Sequence, residues 1–94
     1  LDGDRRVTSW NPGAARLFGY DEGEVVGRPF DILFTPEDRA AGVPEQETRT
    51  ARQTGRATDE RWHVRKDGTR FYAVGMVIRL ADGAFRGYAK IARD

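Results

Sequence analysis

The chain has 94 residues, enough for one domain that buries very roughly two-thirds of its unfolded surface. Lys and Arg total 16 against 15 for Asp and Glu, a balance that carries no basic footprint for nucleic acid or for an acidic membrane face. Cysteine is absent, which rules out disulfides, thiolate metal sites and cysteine nucleophiles.

In chain order, residues 6–10 read as a brief strand. Asn11 then supplies a helix cap and Pro12 fits the first helical position. Ala14, Leu17 and Phe18 form an apolar stripe, and Gly19 is the stop. Asp21 with Glu24 makes a capping box for a single turn that ends at Gly27. Phe30, Ile32, Leu33 and Phe34 are too few for a long helix and suit one turn tucked under a sheet, lining the interior. Thr35-Pro36-Glu37-Asp38 repeats the cap-plus-proline start, and residues 44–54 form a more polar helix stopped by Gly55, with Gln46, Arg49 and Gln53 facing water.

The second half reads as a meander. Residues 62–66, 69–80 and 85–93 are apolar, β-branched or aromatic segments joined through Asp67-Gly68 and Ala81-Asp82-Gly83, and Asp-Gly pairs tolerate the positive φ of tight hairpin turns. No repeat, linker or internal boundary interrupts residues 1–94, which we read as a single domain from a longer multidomain protein. No apolar run approaches the roughly 20 residues needed to span a bilayer, and Leu1-Asp2-Gly3-Asp4 does not begin a signal peptide. A cytoplasmic domain without direct membrane contact is expected.

The succession Val7-Thr8-Ser9-Trp10-Asn11-Pro12-Gly13-Ala14-Ala15-Arg16-Leu17-Phe18-Gly19-Tyr20, followed by Glu24-Val25-Val26-Gly27-Arg28-Pro29-Phe30, resembles the N-terminal half of a PAS domain. Arg65-Lys66-Asp67-Gly68-Thr69-Arg70-Phe71 and Gly87-Tyr88-Ala89-Lys90-Ile91-Ala92-Arg93-Asp94 resemble its C-terminal half, so the resemblance covers nearly the whole chain. It implies an α+β fold with an antiparallel sheet in order 2-1-5-4-3 and short helices packed on one face, often around a ligand pocket. The family's first strand would precede Asp2-Gly3-Asp4, and only Leu1 stands there. We expect that strand to lie in a longer parent chain, with a strand supplied by a partner as the alternative.

Alternation alone would bury Trp62, Val64, Tyr72, Val74, Met76 and Ile78. The resemblance instead places His63, Phe71, Ala73, Gly75, Val77, Tyr88, Lys90 and Ala92 inward, and this register is preferred. Together with Phe18, Phe30 and Leu33, all of these but Ala92 are the ligand-pocket candidates. Trp62, Val64, Tyr72, Val74, Met76 and Ile78 then form an outer face for a dimer partner or a flanking helix, because so large an apolar patch is seldom left in water.

His63 is the only histidine, and with no thiolate a metal site is not expected. A structural hydrogen bond is its expected role, with a pH-sensing role left open. An inward Lys90 needs a carboxylate, an anionic ligand or an escape to the rim. With His63 and Arg61 it would bias a pocket towards an acidic or carbonyl-bearing molecule. Haem-binding relatives usually carry their histidine on the helix before the third strand, where residues 44–54 have none. Adduct-forming flavin chemistry needs a cysteine, and the sheet amides of flavin relatives are matched here by His63, Ala73 and Ala92. No cofactor is required, with non-covalent FAD or haem as remote alternatives. Asp94 matches the Asp that begins the family's exit motif towards a signalling helix.

The leading reading is therefore a sensory module that binds a small ligand or partner and relays the signal to a downstream effector, such as a histidine kinase. A ligand-free homodimerisation module is the alternative. No catalytic residues are assigned, because no nucleophile is paired with a base and no phosphate loop follows a strand.

Overall fold

The computed structural model describes residues 1–93; Asp94, the expected signal exit, lies outside the described residues. Helix α1 spans Pro12–Phe18, α2 Glu22–Val25 and α3 Pro36–Ala40, with a 3-10 turn at Phe30–Leu33 before α3. The longest helix, α4, runs Val43–Thr54 and leads directly into the strands β1 (Arg56–Val64), β2 (Arg70–Ala81) and β3 (Phe85–Arg93).

The helix ends follow from local chemistry. The Ala14 amide donates to Asn11 Oδ1 at 2.7 Å, and the Asp38 amide donates to Thr35 Oγ1 at 3.2 Å. The Asp21 amide donates to Glu24 Oε1 at 2.8 Å, which closes the expected capping box. Each contact satisfies a backbone or side-chain group that the helix start would otherwise leave open. Gly19 stops α1 at φ 81°, a left-handed conformation that a side chain would strain.

The strands form one antiparallel sheet in the order β1-β2-β3. Strand β1 begins six residues before the expected start at Trp62, because Arg56, Thr58, Asp59 and Glu60 conceal an extended segment that pairs residue for residue with β2. At the first hairpin the Asp67 carboxylate accepts from the Thr69 amide at 2.9 Å, and Gly68 adopts φ 88°.

Residues 6–10 do not form the expected strand. Their pairing is limited to the bridge between Arg6 and Pro29, around which the Val7 amide donates to the Arg28 carbonyl at 2.8 Å, the Gly27 amide to the Val7 carbonyl at 2.7 Å and the Phe30 amide to the Arg5 carbonyl at 2.8 Å. The place beside β3 that would give this segment a neighbour is held by Leu1 alone. The Leu1 ammonium donates to the Tyr88 carbonyl at 2.8 Å, and the Tyr88 amide donates to the Leu1 carbonyl at 3.0 Å. Beyond Val7 no neighbour offers residues 8–10 the repeated backbone hydrogen bonds that would hold them as a strand.

The helices cover the face of His63, Phe71, Ala73, Gly75 and Val77, all of which are buried. Trp62, Tyr72 and Val74 are 52%, 48% and 45% exposed, so the register given by alternation alone is reversed. Both faces of β2 alternate with apolar residues, and the helix layer decides which one is inside. The core joins Val7, Phe18, Val25, Phe30, Leu33 and Phe34 from the helical half to Phe71, Ala73, Val77 and Tyr88 from the sheet.

Candidate functional site

Under the helices the sheet carries a buried ionic cluster. Along α4 the positions turned to the sheet are Pro44, Glu47, Thr48 and Ala51, a three- and four-residue spacing that brings a carboxylate onto the packed stripe. On β1, Asp59, Arg61 and His63 alternate onto the same inner face, and Lys90 meets them from β3. The Lys90 ammonium lies 3.0 Å from Glu47 Oε1 and 2.9 Å from Asp59 Oδ2, with these three side chains 7%, 5% and 1% exposed. Arg61 Nε lies 2.9 Å from both Glu47 Oε2 and Asp59 Oδ2, and its guanidinium reaches Asp38 on α3 at 3.5 Å.

Burial pushes the Glu47 carboxyl up to about 7, against the pull of the Lys90 charge. The Asp59 carboxyl is also penalised by burial, but its hydrogen bonding with Glu47 and the charge of Lys90 outweigh this and hold it below the usual range. Burial, helped by the Lys90 charge, pushes His63 down to about 4, so its imidazole is neutral near pH 7. The Leu33 carbonyl, 2.9 Å from His63 Nδ1, can only accept, which fixes the proton on Nδ1 and leaves Nε2 bare, 3.8 Å from Asp59 Oδ2. Lys90 thus spends its charge on internal carboxylates and has none left unpaired for an anionic ligand.

Gly75 stands directly opposite Asp59 in the β1–β2 ladder. A Cβ there would press into Asp59 Oδ1 and lie 3.1 Å from the Ile91 carbonyl. Gly75→Ala is expected to cost about 1–3 kcal/mol, as overpacking of a filled interior does, and urea unfolding at neutral pH checks it.

The ligand-pocket candidates separate into two groups. Phe18, Phe30, Leu33, Tyr88 and Lys90 border the strip between the segment ahead of α1 and β3, where Leu1 pairs with Tyr88. His63, Phe71, Ala73, Gly75 and Val77 lie instead in the closed interior. There the ring centroids of Phe18 and Phe71 are 5.3 Å apart, and those of Phe34 and His63 are 4.9 Å apart. A flavin does not fit over this face, because aromatic rings and the ionic cluster occupy it and no amide side chain stands at His63, Ala73 or Ala92. A haem does not fit either. His63 is 0% exposed, bonded at Nδ1 and turned at Nε2 towards Asp59. Among the described residues no group of His, Asp and Glu could hold a metal ion.

On the opposite side of the sheet, Trp62 and Tyr72 meet edge to face at 5.5 Å. Val74 and the partly buried Val64, Met76 and Ile78 continue the patch. Ile91, 55% exposed and opposite Met76, belongs to it as well. Sequence reasoning missed Ile91, although its alternation with Lys90 places the two on opposite faces. It also missed Glu47 and Asp59. The stripe Pro44, Glu47, Thr48, Ala51 was the available signal for Glu47, and an earlier start of β1 would have set Asp59 beside His63.

A family model described as PAS domain matches residues 1–94. A two-component system protein A from Emericella nidulans is 37% identical over 95 residues, covering 100% of this chain and 14% of that protein, so the chain spans about a seventh of this relative's length. The crystal structure of a PAS domain from Colwellia psychrerythraea superposes with a TM-score of 0.90 at 24% identity, covering 99% of this chain and 80% of that one. The LOV domain of a blue-light activated histidine kinase from Erythrobacter litoralis gives a TM-score of 0.81 at 22% identity, with 98% and 85% covered. No helix among the described residues is long and apolar enough to cross a membrane. Sequence match, strand order and helix layer agree, and the chain belongs to the PAS domain family.

Proposed function

We propose that this PAS domain is a cytoplasmic signal-relay module of a two-component signalling protein, acting as a homodimer through the outer face of its sheet and passing its state to an effector domain such as a histidine kinase. The observation that carries this reading is the outer face itself, where Trp62, Tyr72, Val74 and Ile91 are each 45% or more exposed on adjoining strands. A contiguous apolar surface of this kind marks an interaction site. Its rim holds both signs of charge, Glu60 on one side and Arg56 and Arg93 on others. A two-fold contact can set each against its opposite, which favours a second copy of this chain as the occupant. The 37% identical relative, a two-component system protein, supports the signalling context.

Sedimentation of the wild-type domain is expected to show a dimer, and Val74→Glu is expected to weaken it at least about 100-fold, since burying an unpaired carboxylate in such an interface costs several kcal/mol. A monomer at high concentration, or an unchanged dimer in Val74→Glu, refutes the reading. Native mass spectrometry checks the reading as well, since an empty dimer supports the interface and a monomer that carries a small molecule opposes it.

A further inference from the structure

Three carboxylates converge on two cations in the ionic cluster. Glu47 comes from α4, Asp59 from β1 and Asp38 from α3, and they face Lys90 of β3 and Arg61 of β1. His63, neutral and on β1, adds a bare nitrogen and no charge. The assembly therefore lacks one positive charge. Each of its buried carboxylates keeps one oxygen without a hydrogen-bond partner, Asp59 Oδ1 and Glu47 Oε2, but Asp59 Oδ2 accepts from both Lys90 and Arg61 while Glu47 Oε1 accepts from Lys90 alone, so the deficit falls on Glu47. Glu47 Oε2 has no hydrogen-bond partner although Arg61 Nε is 2.9 Å away, the geometry being poorly aligned.

We propose that α4 is seated on the sheet through a proton held by Glu47, and that lifting α4 releases this proton to water, so that the docking of α4 responds to pH near neutrality. Mechanically, α4 passes through Gly55 into β1, whose Trp62 lies on the outer face, so a loosened α4 acts on the strand that carries the partner surface.

The sign follows from the direction of each shift. The Glu47 carboxyl, ordinarily near 4.5, is raised to about 7 when α4 is seated. The seated state therefore binds one more proton than the lifted state between these values and is weakened as pH rises from 4.5 to 7, by up to about tenfold per pH unit for one linked proton, and the dependence levels off above the midpoint. His63, lowered from 6.5 to about 4, acts in the opposite sense, stabilising the folded state as pH rises from 4 to 6.5. The two oppose one another between 4.5 and 6.5, and of these two groups only Glu47 acts from 6.5 up to its midpoint near 7.

Carboxyl-carbon NMR of the wild-type protein, combined with hydrogen exchange of the buried Thr48 and Ala51 amides of α4, tests the proposal. The expected result is a Glu47 midpoint near 7 and a fall in α4 protection of up to about tenfold between pH 6 and 8, after correction for intrinsic exchange. In Glu47→Gln that fall disappears. A Glu47 midpoint below 5, α4 protection that is flat in the wild type, or a wild-type slope retained in Glu47→Gln overturns it. Should Glu47→Gln fail to fold, the wild-type midpoint and slope still decide.

Discussion

Lys90→Met is expected to lower the free energy of unfolding by about 3–5 kcal/mol at pH 8, the range observed when one partner of a buried ion pair is removed. Methionine conserves most of the side-chain volume, so the loss is electrostatic and not a cavity effect. The ammonium serves Glu47 and Asp59 at once, at 3.0 and 2.9 Å, and without it Arg61 is left as their sole cation. Arg61 is a quarter exposed and shared with Asp38, so it offsets only part of the deficit. The loss shrinks at pH 6, where a proton on Glu47 removes one of the two stranded charges. Urea unfolding at both pH values checks this, and a variant equally stable at pH 8 shows that the cluster contributes nothing.

Phe34→Ala is expected to cost about 3–5 kcal/mol, the range for truncating a buried aromatic ring. Phe34 is 0% exposed and stacks edge to face on Phe30 at 5.0 Å and on His63 at 4.9 Å. Its backbone also forms the bridge to His63 that ties the helical half to β1. For a domain of this size the midpoint of thermal unfolding falls by roughly 10–20 °C or more, which differential scanning calorimetry measures. Phe34→Leu, which refills most of the space, recovers a large part of the loss. A shift below a few degrees for the alanine variant refutes the assignment of Phe34 as a core keystone.

The two predictions mark the boundary of what the chain makes legible. Phe34 was readable as interior, because a dense apolar cluster between a proline and a helix cap has nowhere else to go. The need of Lys90 for a carboxylate was equally readable, since an inward ammonium demands one. Its partners were not. Glu47 sits in a helix whose polar residues Gln46, Arg49 and Gln53 do face water, and a single buried carboxylate among them looks like surface. Asp59 lay hidden because charged Arg56, Asp59 and Glu60 mask the start of β1.

By itself the sequence determined the local pieces and the family. The caps at Asn11, Asp21 and Thr35, the stop at Gly19 and the Asp-Gly turn at residue 67 each depend on a few neighbouring atoms, and those neighbours are adjacent in the chain. Only the tertiary structure decided which ionic groups meet and whether residues 6–10 pair. The carboxylates that neutralise Lys90 are 43 and 31 residues away, and a strand exists only where another strand offers its hydrogen bonds. The inward register of β2 likewise needed the helix layer, which resemblance could anticipate but alternation could not, since both faces of that strand are apolar and packing alone buries one of them.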